Sequence, residues 1–575
     1  MDNEQIAKSL KQLADLMEFQ GVNPFRLKAY RNGARSVLEL PQTISSMIEA
    51  GDDLTKLDGI GKSVAQKCTE LCETGKLQQL EDLLTEVPKS VLEFLNIPKL
   101  GPKKAAVLFN DLNLTTLDQL KAACEAGKVA ELPGFGAKSQ QAILEGISIA
   151  AAAARRLLWK DADKLVSRLR EHFSSCDAIE KLEFAGSYRR GKETVGDLDL
   201  LVTSSDVDTV MDHFAAFPDV QTTIVRGGTK MSVRTDEEFQ MDLRVVPEES
   251  FGAALQYFTG SKEHNVVLRG MAKQAGLRVN EWGVYQIEGE DQKRIAGESE
   301  DNVYEAMGLP VFAPESREGR FEFGWAEKDE FPKLVRVEDI QGDLHMHTVA
   351  TDGSATIDEM ATAAMQRGLK FIAITDHSKR VAMASGLDSE RLLAQWKEVD
   401  EFNQTLDSDF VVLKGIECDI LESGEMDLPD EVLAQADWVI GSLHFGQTQP
   451  RQQITDRIVG AIENQHVDMI AHPTGRILNR RPAYDVDLDA VFEAALAHKT
   501  FLELNAAPKR LDLNDVHLMA AKARGIPIVI NTDSHKPGSL KNIEYGVAQA
   551  RRAALTAADV ANSWTWKKMQ DWRGI

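Results

Sequence analysis

Cysteine is scarce: the 575-residue chain holds five (Cys68, Cys72, Cys124, Cys176 and Cys418) and no CxxC pair. That excludes a disulfide framework and a structural zinc site built on paired thiolates. Long apolar runs are missing as well, and nothing approaches the roughly 18 residues needed to cross a bilayer. No membrane partner is expected. A basic surplus is absent too: 66 Lys and Arg stand against 90 Asp and Glu, a net charge of −24, which argues against indiscriminate adhesion to nucleic acid. Any phosphate binding must therefore come from local geometry. The start, MDNEQIAKSLKQL, has no basic region followed by an apolar stretch, so no secretory signal and a reducing, cytoplasmic setting are expected. With 43% hydrophobic and 27% charged residues the chain is not disordered. Its length predicts about three or four folded domains at roughly 150 residues each.

Three textures follow one another. The first 150 residues read as short amphipathic helices broken by Gly/Pro turns, and three of those turns resemble one another: Leu57–Gly61, Ile97–Gly101 and Leu132–Gly136. From about Leu182, runs such as LDLLV (198–202) and QMDLRVV (240–246) read as strands, opening a mixed α/β unit. The stretch from about Ala313 to Glu338, rich in Pro, Glu, Arg and Gly, is expected to be a linker. Beyond it, GDLHMH (342–347), FIAITDH (371–377), VVLKGIE (411–417), WVIGSLH (438–444), DMIAH (468–472), FLELN (501–505) and IPIVINTD (526–533) are strand-length runs. Most end in a metal-binding type of residue. Their spacing of roughly 30 residues is that of a strand-plus-helix unit in an α/β barrel, whose chemistry sits at the C-terminal ends of the strands.

His345 and His347, two apart on an extended backbone, point to one side. His377, Glu417, His444, His472, Asp533 and His535 each close a later run, and Asp352 follows the first. A lone strand-end histidine is ordinarily a hydrogen-bonded structural residue, but nine such groups at one barrel mouth without a metal would be costly to bury. This HxH…Asp…DH…Glu…SLH…AHP…DSH pattern resembles the PHP family, named for polymerase and histidinol phosphatase, a distorted (β/α)7 barrel holding up to three metal ions. The resemblance makes all nine residues ligands. Mixed imidazole and carboxylate shells suit Mn²⁺, Zn²⁺ or Fe²⁺ better than Mg²⁺. Clustered ions acidify water and neutralise phosphate oxygens, so phosphoester hydrolysis is the implied reaction.

Phe184–Gly191, FAGSYRRG, precedes Gly196–Leu200, GDLDL. On a strand Asp197 and Asp199 share one face while Leu198 and Leu200 pack on the other, and Asp242 could add a third carboxylate from a neighbouring strand. Three hard oxygen donors with a triphosphate suit a pair of Mg²⁺ or Mn²⁺ ions. GSYRRG ahead of GDLDL is the nucleotidyltransferase pattern and resembles the X-family DNA polymerases, a likeness that continues through residues 256–283. By that resemblance Asp197, Asp199 and Asp242 are catalytic metal ligands, with Asp242 near the primer 3′-hydroxyl. Ser187 and Arg190 would bind the β/γ-phosphates. Tyr257 and Phe258 would press on the sugar and exclude a ribose hydroxyl, and Asn265 and Arg269 would face the base and template. Taken alone, Tyr257 and Phe258 would be ordinary core aromatics.

In a helix-hairpin-helix, a Gly-hydrophobic-Gly turn brings backbone N–H groups to a phosphate at a helix N-terminus and needs few basic side chains. Gly59 with Gly61 and Gly134 with Gly136 fit that pattern; the middle turn keeps Gly101 but has Lys99 in place of the first glycine. Such turns reconcile DNA binding with an acidic chain. Asn23–Arg31, NPFRLKAYR, resembles the start of the family's amino-terminal domain, which holds the 5′-phosphate side of a gap, so Arg26, Tyr30 and Arg31 are expected there. Lys67 occupies the place of the family's Schiff-base lysine, but Ser63 stands where a helper lysine belongs. Lyase chemistry and a solvated helix lysine both stay open.

The expected architecture is multidomain: an all-α helix-hairpin-helix region (1–85 DNA-binding, 86–152 fingers-like), an α/β nucleotidyltransferase palm (153–250) with a thumb (251–318), a linker (319–338) and a PHP barrel (339–575). The two metal sites are then expected in separate folded units. The leading function is a template-directed, gap-filling repair polymerase of base-excision type joined to a Mn²⁺-dependent 3′–5′ exonuclease, with abasic-site endonuclease activity a further expectation. It would act as a monomer on gapped or nicked DNA bearing a 5′-phosphate, with dNTPs. The alternatives are a small-molecule phosphoesterase resembling histidinol phosphatase with a non-catalytic DNA-binding front half, and a non-catalytic DNA-end scaffold.

Overall fold

The computed structural model describes residues 3–574 except 41, 58, 98–99, 154–155 and 289–290. It divides into two compact units, residues 1–156 with 234–240, and residues 157–233 with 241–575.

Up to residue 153 the first unit is helical among its described residues, whereas its 234–240 segment joins two strands of the palm sheet. One continuous core runs from Ile6 to Ile147, so the two domains expected at 1–85 and 86–152 share their apolar interior. Each of the three similar turns closes with the same backbone bond, Ile60 N–H to Leu57 O, Leu100 N–H to Ile97 O and Phe135 N–H to Leu132 O, at 3.0–3.1 Å. Each then launches a helix: Lys62–Thr74, Pro102–Leu112 and Ala137–Ala153. Gly59 has φ +75°, and a Cβ there would stand 2.2 Å from Ser36 Oγ, so the turn needs glycine twice over.

The second unit contains palm, thumb and barrel. The palm sheet has the strand order Lys181–Phe184, Asp197–Thr203, Gln240–Val246, Lys230–Thr235, Val220–Arg226. The thumb pairs a three-stranded antiparallel sheet with helices Phe251–Thr259, Lys262–Gln274 and Glu300–Ala306. The barrel strands are Gly342–Asp343, Phe371–Ile374, Val411–Asp419, Trp438–Ser442, Met469–Ile470, Phe501–Asn505 and Ile528–Asn531, parallel and adjacent in chain order. A parallel bridge between Met346 and Ser534 brings the last strand back to the first and nearly closes the ring. Six of these strands are buried on both faces, which is why the longer ones read as continuous apolar runs and not as alternating ones.

The segment expected to be a linker is packed. Helix Glu322–Lys328 lies within it, Glu322 is fully buried, and Phe323 stacks on His264 at 4.9 Å between centroids. His264 Nδ1 meets Glu322 Oε1 at 2.8 Å, and the backbone N–H groups of Gly319, Arg320 and Phe321 donate to the same carboxylate, so its buried charge is satisfied. The expectation of separate folded units also fails. Arg552 of the barrel donates to the Arg190 carbonyl of the palm and to Glu318, and Arg476 donates to Glu193. Pro, Glu, Arg and Gly mark a loop by composition, but here the charges find buried partners.

Candidate active sites

On the palm, the 197–203 strand alternates as expected at its start: Leu198 and Leu200 are buried, Asp197 is exposed and Asp199 half-buried. Asp242 stands on the adjacent strand, and Lys230 Nζ lies 3.8 Å from its Oδ2. Burial, with Asp197 and Asp242 close by, pushes the Asp199 carboxyl up to about 7. Three carboxylates gathered on neighbouring strands are hard oxygen donors suited to divalent cations. Gly186 has φ +65°, and a Cβ there would sit 2.4 Å from Asp199 Oδ2, so glycine is what lets the turn approach the carboxylates. Ser187 is half-buried on the short helix Gly186–Arg189 that follows.

The other expected nucleotide contacts are largely engaged with the protein. Arg190 is buried, its Nε donating to Glu318 Oε1 at 3.0 Å and its Nη1 to Thr259 O at 2.8 Å. Asn265 is buried and clamps the 257–260 turn, donating to Tyr257 O (2.7 Å) and Gly260 O (3.1 Å) and accepting from Gln256 at 3.0 Å. Tyr257 and Phe258 are half-buried, edge to face at 5.2 Å. Arg269 is exposed, its Nε on Asn265 O at 3.0 Å.

The barrel mouth gathers all nine residues singled out there. Three overlapping groups have ligand atoms within 4.8 Å of one another: His347, Asp352, His377 and His535; His345, His347 and Asp533; and His377, Glu417 and His444. His472 joins through Nε2, 3.1 Å from Glu417 Oε1. His345, His347 and Glu417 are at most 1% exposed, and neither ring nitrogen of His347 makes a hydrogen bond. Buried nitrogens aimed at carboxylates without hydrogen bonds are what metal coordination would satisfy, so the donor set fits such ions. His472 (φ 29°) and Asp533 (φ 51°) are held in the left-handed backbone region, which side chains at functional sites are more often made to adopt.

Electrostatics bind the cluster together. Burial works against charge on His345, yet the carboxylates of Glu503, Glu417 and Asp533 raise it well above the ordinary imidazole range. Burial likewise opposes ionised Glu417, but His345, His377 and His444 hold it well below the usual carboxylate value. Burial pushes His472 down to about 4, and Arg510 adds to the shift.

Several residues around this site escaped sequence reasoning. Glu503 accepts from His345 Nδ1 (2.7 Å) and from the His472 N–H (2.7 Å), fixing two ligands. It lies in FLELN two residues before Asn505, and strand parity could have placed it on the same face. Asp419 supports His444 Nδ1 at 3.1 Å. Asp376 receives the Thr348 N–H (2.9 Å) and hydroxyl (2.6 Å) and so steadies the loop that carries Asp352. Arg510 Nε stands 3.6 Å from Asp533 Oδ2, a contact made by chain return and without local signal.

In the helical unit, Gly61 and Gly101 cap their helices with open space where a Cβ would be, and Gly134 (φ +79°) and Gly136 are equally unobstructed. Lys99 lies outside the described residues. Pro102 opens the middle helix, so that turn has one amide fewer than the others. Arg26 is exposed, as a phosphate contact requires. Tyr30 is not: it is 1% exposed with its hydroxyl 3.0 Å from Ser63 Oγ, which corrects its expected place on the DNA surface. Its ring fills the core because it lies on the inner face of helix Pro24–Glu39, four residues after Arg26. Arg31 is committed to Asp15 (2.7 Å) and Glu18. Lys67 Nζ is paired with Glu70 at 2.7 Å.

Comparison with known proteins follows the same divisions. Residues 1–77 match the helix-hairpin-helix domain, 91–148 the SAM-like helix-hairpin-helix tandem, 156–237 the DNA polymerase beta palm, 254–318 the DNA polymerase beta thumb, and 343–507 the PHP domain. Shorter relatives match about a third of the chain. A probable phosphatase of Thermoanaerobacter sp. (strain X514) is 30% identical over 232 residues, 38% of this chain and 89% of the other. A probable phosphatase of Acetivibrio thermocellus is 31% identical over 202 residues, 34% of this chain and 78% of the other. The DNA polymerase/3′–5′ exonuclease PolX of Bacillus subtilis (strain 168) is 39% identical over 572 residues, 99% of each chain. With two helix-hairpin-helix regions, a palm and thumb and a metal-competent barrel in the same order along the whole length, the chain belongs to the bacterial X-family DNA polymerases that carry a PHP domain.

Proposed function

We propose that this chain fills short gaps in DNA by template-directed nucleotide addition at the palm and removes 3′-terminal nucleotides at the barrel. The observation that carries the polymerase reading is the set Asp197, Asp199 and Asp242 on two neighbouring strands, with the Gly186 backbone against Asp199. A barrel phosphatase with a passive front half would have no use for it. Divalent ions held there, Mg²⁺ or Mn²⁺, would activate the primer hydroxyl and stabilise the departing pyrophosphate. Asp242 faces the primer end, Ser187 and the remaining guanidinium nitrogen of Arg190 receive the triphosphate, and Asn265 fixes the Tyr257–Phe258 segment against the sugar. Because Asn265 anchors the Tyr257 carbonyl, that aromatic wall is rigid, and dNTPs are preferred to rNTPs. Arg269 is left to the template side.

At the barrel, His345, His347, Asp352, His377, Glu417, His444, His472, Asp533 and His535 would hold up to three Mn²⁺, Zn²⁺ or Fe²⁺ ions, with Mn²⁺ the ion proposed for exonuclease activity. Those ions supply an acidified water and charge neutralisation for the phosphodiester. The protein's part is to orient the imidazoles through Glu503 and Asp419, and to offer Arg510 to the phosphate. The same chemistry extends to incision at an abasic site. The hairpin turns grip phosphates through backbone amides, and Arg26 reads the downstream 5′-phosphate of the gap.

The decisive experiment incubates the purified protein with a one-nucleotide gapped duplex, each dNTP in turn, and Mg²⁺ or Mn²⁺. Incorporation of the templated nucleotide, and shortening of the 3′ end when nucleotides are withheld, are expected. Release of phosphate from small monoesters with neither of these would give the phosphatase reading in their place.

A further inference from the structure

The second arginine of GSYRRG lies at one end of a buried chain of alternating charge that crosses from palm to barrel. Arg190 Nε meets Glu318 Oε1 at 3.0 Å. The same oxygen accepts from Arg552 Nη1 at 2.7 Å, and that nitrogen also reaches the Arg190 carbonyl at 2.9 Å. Arg552 Nη2 continues to Asp515 Oδ2 at 2.8 Å, which Arg320 Nη1 approaches at 3.0 Å. Arg190, Glu318 and Arg552 are 9%, 7% and 2% exposed, so these are desolvated, charge-assisted bonds and not rim contacts. Arg552 ends the barrel helix Ile543–Arg552, and Asp515 begins the barrel helix Asp515–Ala523.

The alternation has a directional consequence. Glu318 and the Thr259 carbonyl take Nε and Nη1 of Arg190, which leaves Nη2 as the nitrogen with no hydrogen bond among the described residues. A planar guanidinium held at two of its nitrogens has a fixed plane, so the third points one way. Glu318 can hold that plane only while its own position is set; Lys192 of the palm stands 3.7 Å from its Oε2, and the shorter, hydrogen-bonded contact comes from a barrel residue, Arg552. The flanking turn is braced by the barrel as well. Glu193 pairs with Arg476 at 2.6 Å, and Asp163, which accepts from Tyr188 at 2.7 Å, also accepts from Tyr545 at 3.3 Å.

We infer that Arg552 of the barrel, acting through Glu318, is a positioning residue for triphosphate binding in the palm, so that the hydrolytic domain is a structural part of the nucleotide site. This rests on the reading of Arg190 as a phosphate ligand. A slack Arg190 binds the triphosphate less well, and the loss should appear in dNTP affinity before it appears in turnover.

The test uses the full-length protein on a one-nucleotide gap, measuring KM and kcat for the templated dNTP and the inhibition constant of pyrophosphate, which probes the phosphate site alone. Arg552→Lys keeps the charge and loses the forked geometry; Arg552→Met removes both. For Arg552→Met, KM and the pyrophosphate constant are expected to rise together by about tenfold or more, with kcat changed less and gapped-DNA affinity unchanged; misplacing a binding group by even 1 Å has effects of this order. Arg552→Lys should fall between it and the natural protein. Hydrolysis of a single-stranded 3′ end should persist in both, reporting that the barrel is folded. If Arg552→Met does not fold, Arg552→Lys alone decides. Unchanged KM and pyrophosphate inhibition in a folded variant overturn the inference, as does a fall in kcat with KM unmoved. Arg190→Met separates the two claims: if it too leaves KM and pyrophosphate inhibition unchanged, the phosphate role of Arg190 is what fails. If it raises both and the Arg552 variants raise neither, only the barrel's part is lost.

Discussion

The palm and the barrel both gather carboxylates at strand ends, but only the barrel interleaves its carboxylates with imidazoles. On the palm, Asp197, Asp199 and Asp242 lie close together with Lys230 3.8 Å from the last, and the half-buried Asp199 is pushed up to about 7. At the barrel mouth, Glu417 and Asp533 lie among imidazoles that hold them far below the usual carboxylate range. In the proposed reading the first cluster would be completed by metal that arrives with a triphosphate, whereas the second is balanced internally and would keep its ions. Oxygen donors alone suit the weakly held, hydrated Mg²⁺, whereas imidazoles favour transition metals. After desalting, the protein should therefore retain transition metal at the barrel and none at the palm, which elemental analysis of the natural protein and of His345→Ala would show.

Removing a palm ligand breaks the comparison hardest. Asp242→Ala or Asp197→Ala should lower incorporation by on the order of a thousandfold or more, since each metal-ligand contact supports several kcal/mol of transition-state stabilisation. Affinity for gapped DNA should stay close to natural, because the proposed phosphate contacts are those of the hairpin turns and not of the palm carboxylates. Single-turnover incorporation by Asp242→Ala at the natural rate would remove the palm assignment.

At the barrel, His345→Ala or Asp533→Ala should abolish 3′-end hydrolysis and leave polymerisation intact, provided the barrel still folds against the palm. Glu503→Gln tests the support beneath the ligands. It should cost roughly 10–100-fold in hydrolysis or metal affinity, the range of residues that orient metal ligands. A fall as deep as that of His345→Ala would make Glu503 a ligand itself.

A pH experiment sharpens the contrast further. A carboxyl raised to about 7 is protonated below that pH and must release its proton before it can take a cation. The apparent Mg²⁺ affinity of the palm should therefore be flat above about pH 7 and fall by up to about tenfold per unit below it. Asp199→Asn should flatten that dependence at low affinity. A constant affinity between pH 5.5 and 7 in the natural protein would show that Asp199 is already ionised.

Local patterns were legible in the sequence because the signal and the structure share a length scale. Residues two apart on a strand share a face, so His345 with His347 and Asp197 with Asp199 could be read directly, and the seven barrel runs all became strands. Contacts formed by chain return could not be read. Arg510 against Asp533, and Arg552 against Glu318, join residues far apart with no spacing to mark them. Composition misled at 319–338, where charge and proline signalled a linker but Glu322 and Phe323 are buried against His264. The same limit explains Tyr30: its motif placed it beside DNA, and the inner face of its helix buried it.

The smallest expected effect concerns how an acidic protein chooses its DNA. Backbone amides at the hairpin turns, in the proposed reading, would bind phosphate without a side-chain cation and so contribute little counterion release. Each phosphate neutralised by Lys or Arg should instead contribute roughly −0.9 to the salt slope of binding. With Tyr30 in the core and Arg31 held by Asp15 and Glu18, Arg26 is the one of the three expected residues left to meet a 5′-phosphate. Arg26→Ala should weaken binding to a 5′-phosphorylated gap by a few-fold to about tenfold, within the range of a charge-assisted contact at the surface, and reduce the salt slope by about one. Binding to a primer–template without the downstream strand should hardly change. Tyr30→Phe, which deletes one hydroxyl bonded to Ser63, should leave both substrates alone. Equal losses on the two substrates for Arg26→Ala would make it a general electrostatic contact, and a loss for Tyr30→Phe confined to the phosphorylated gap would return the tyrosine to the DNA surface.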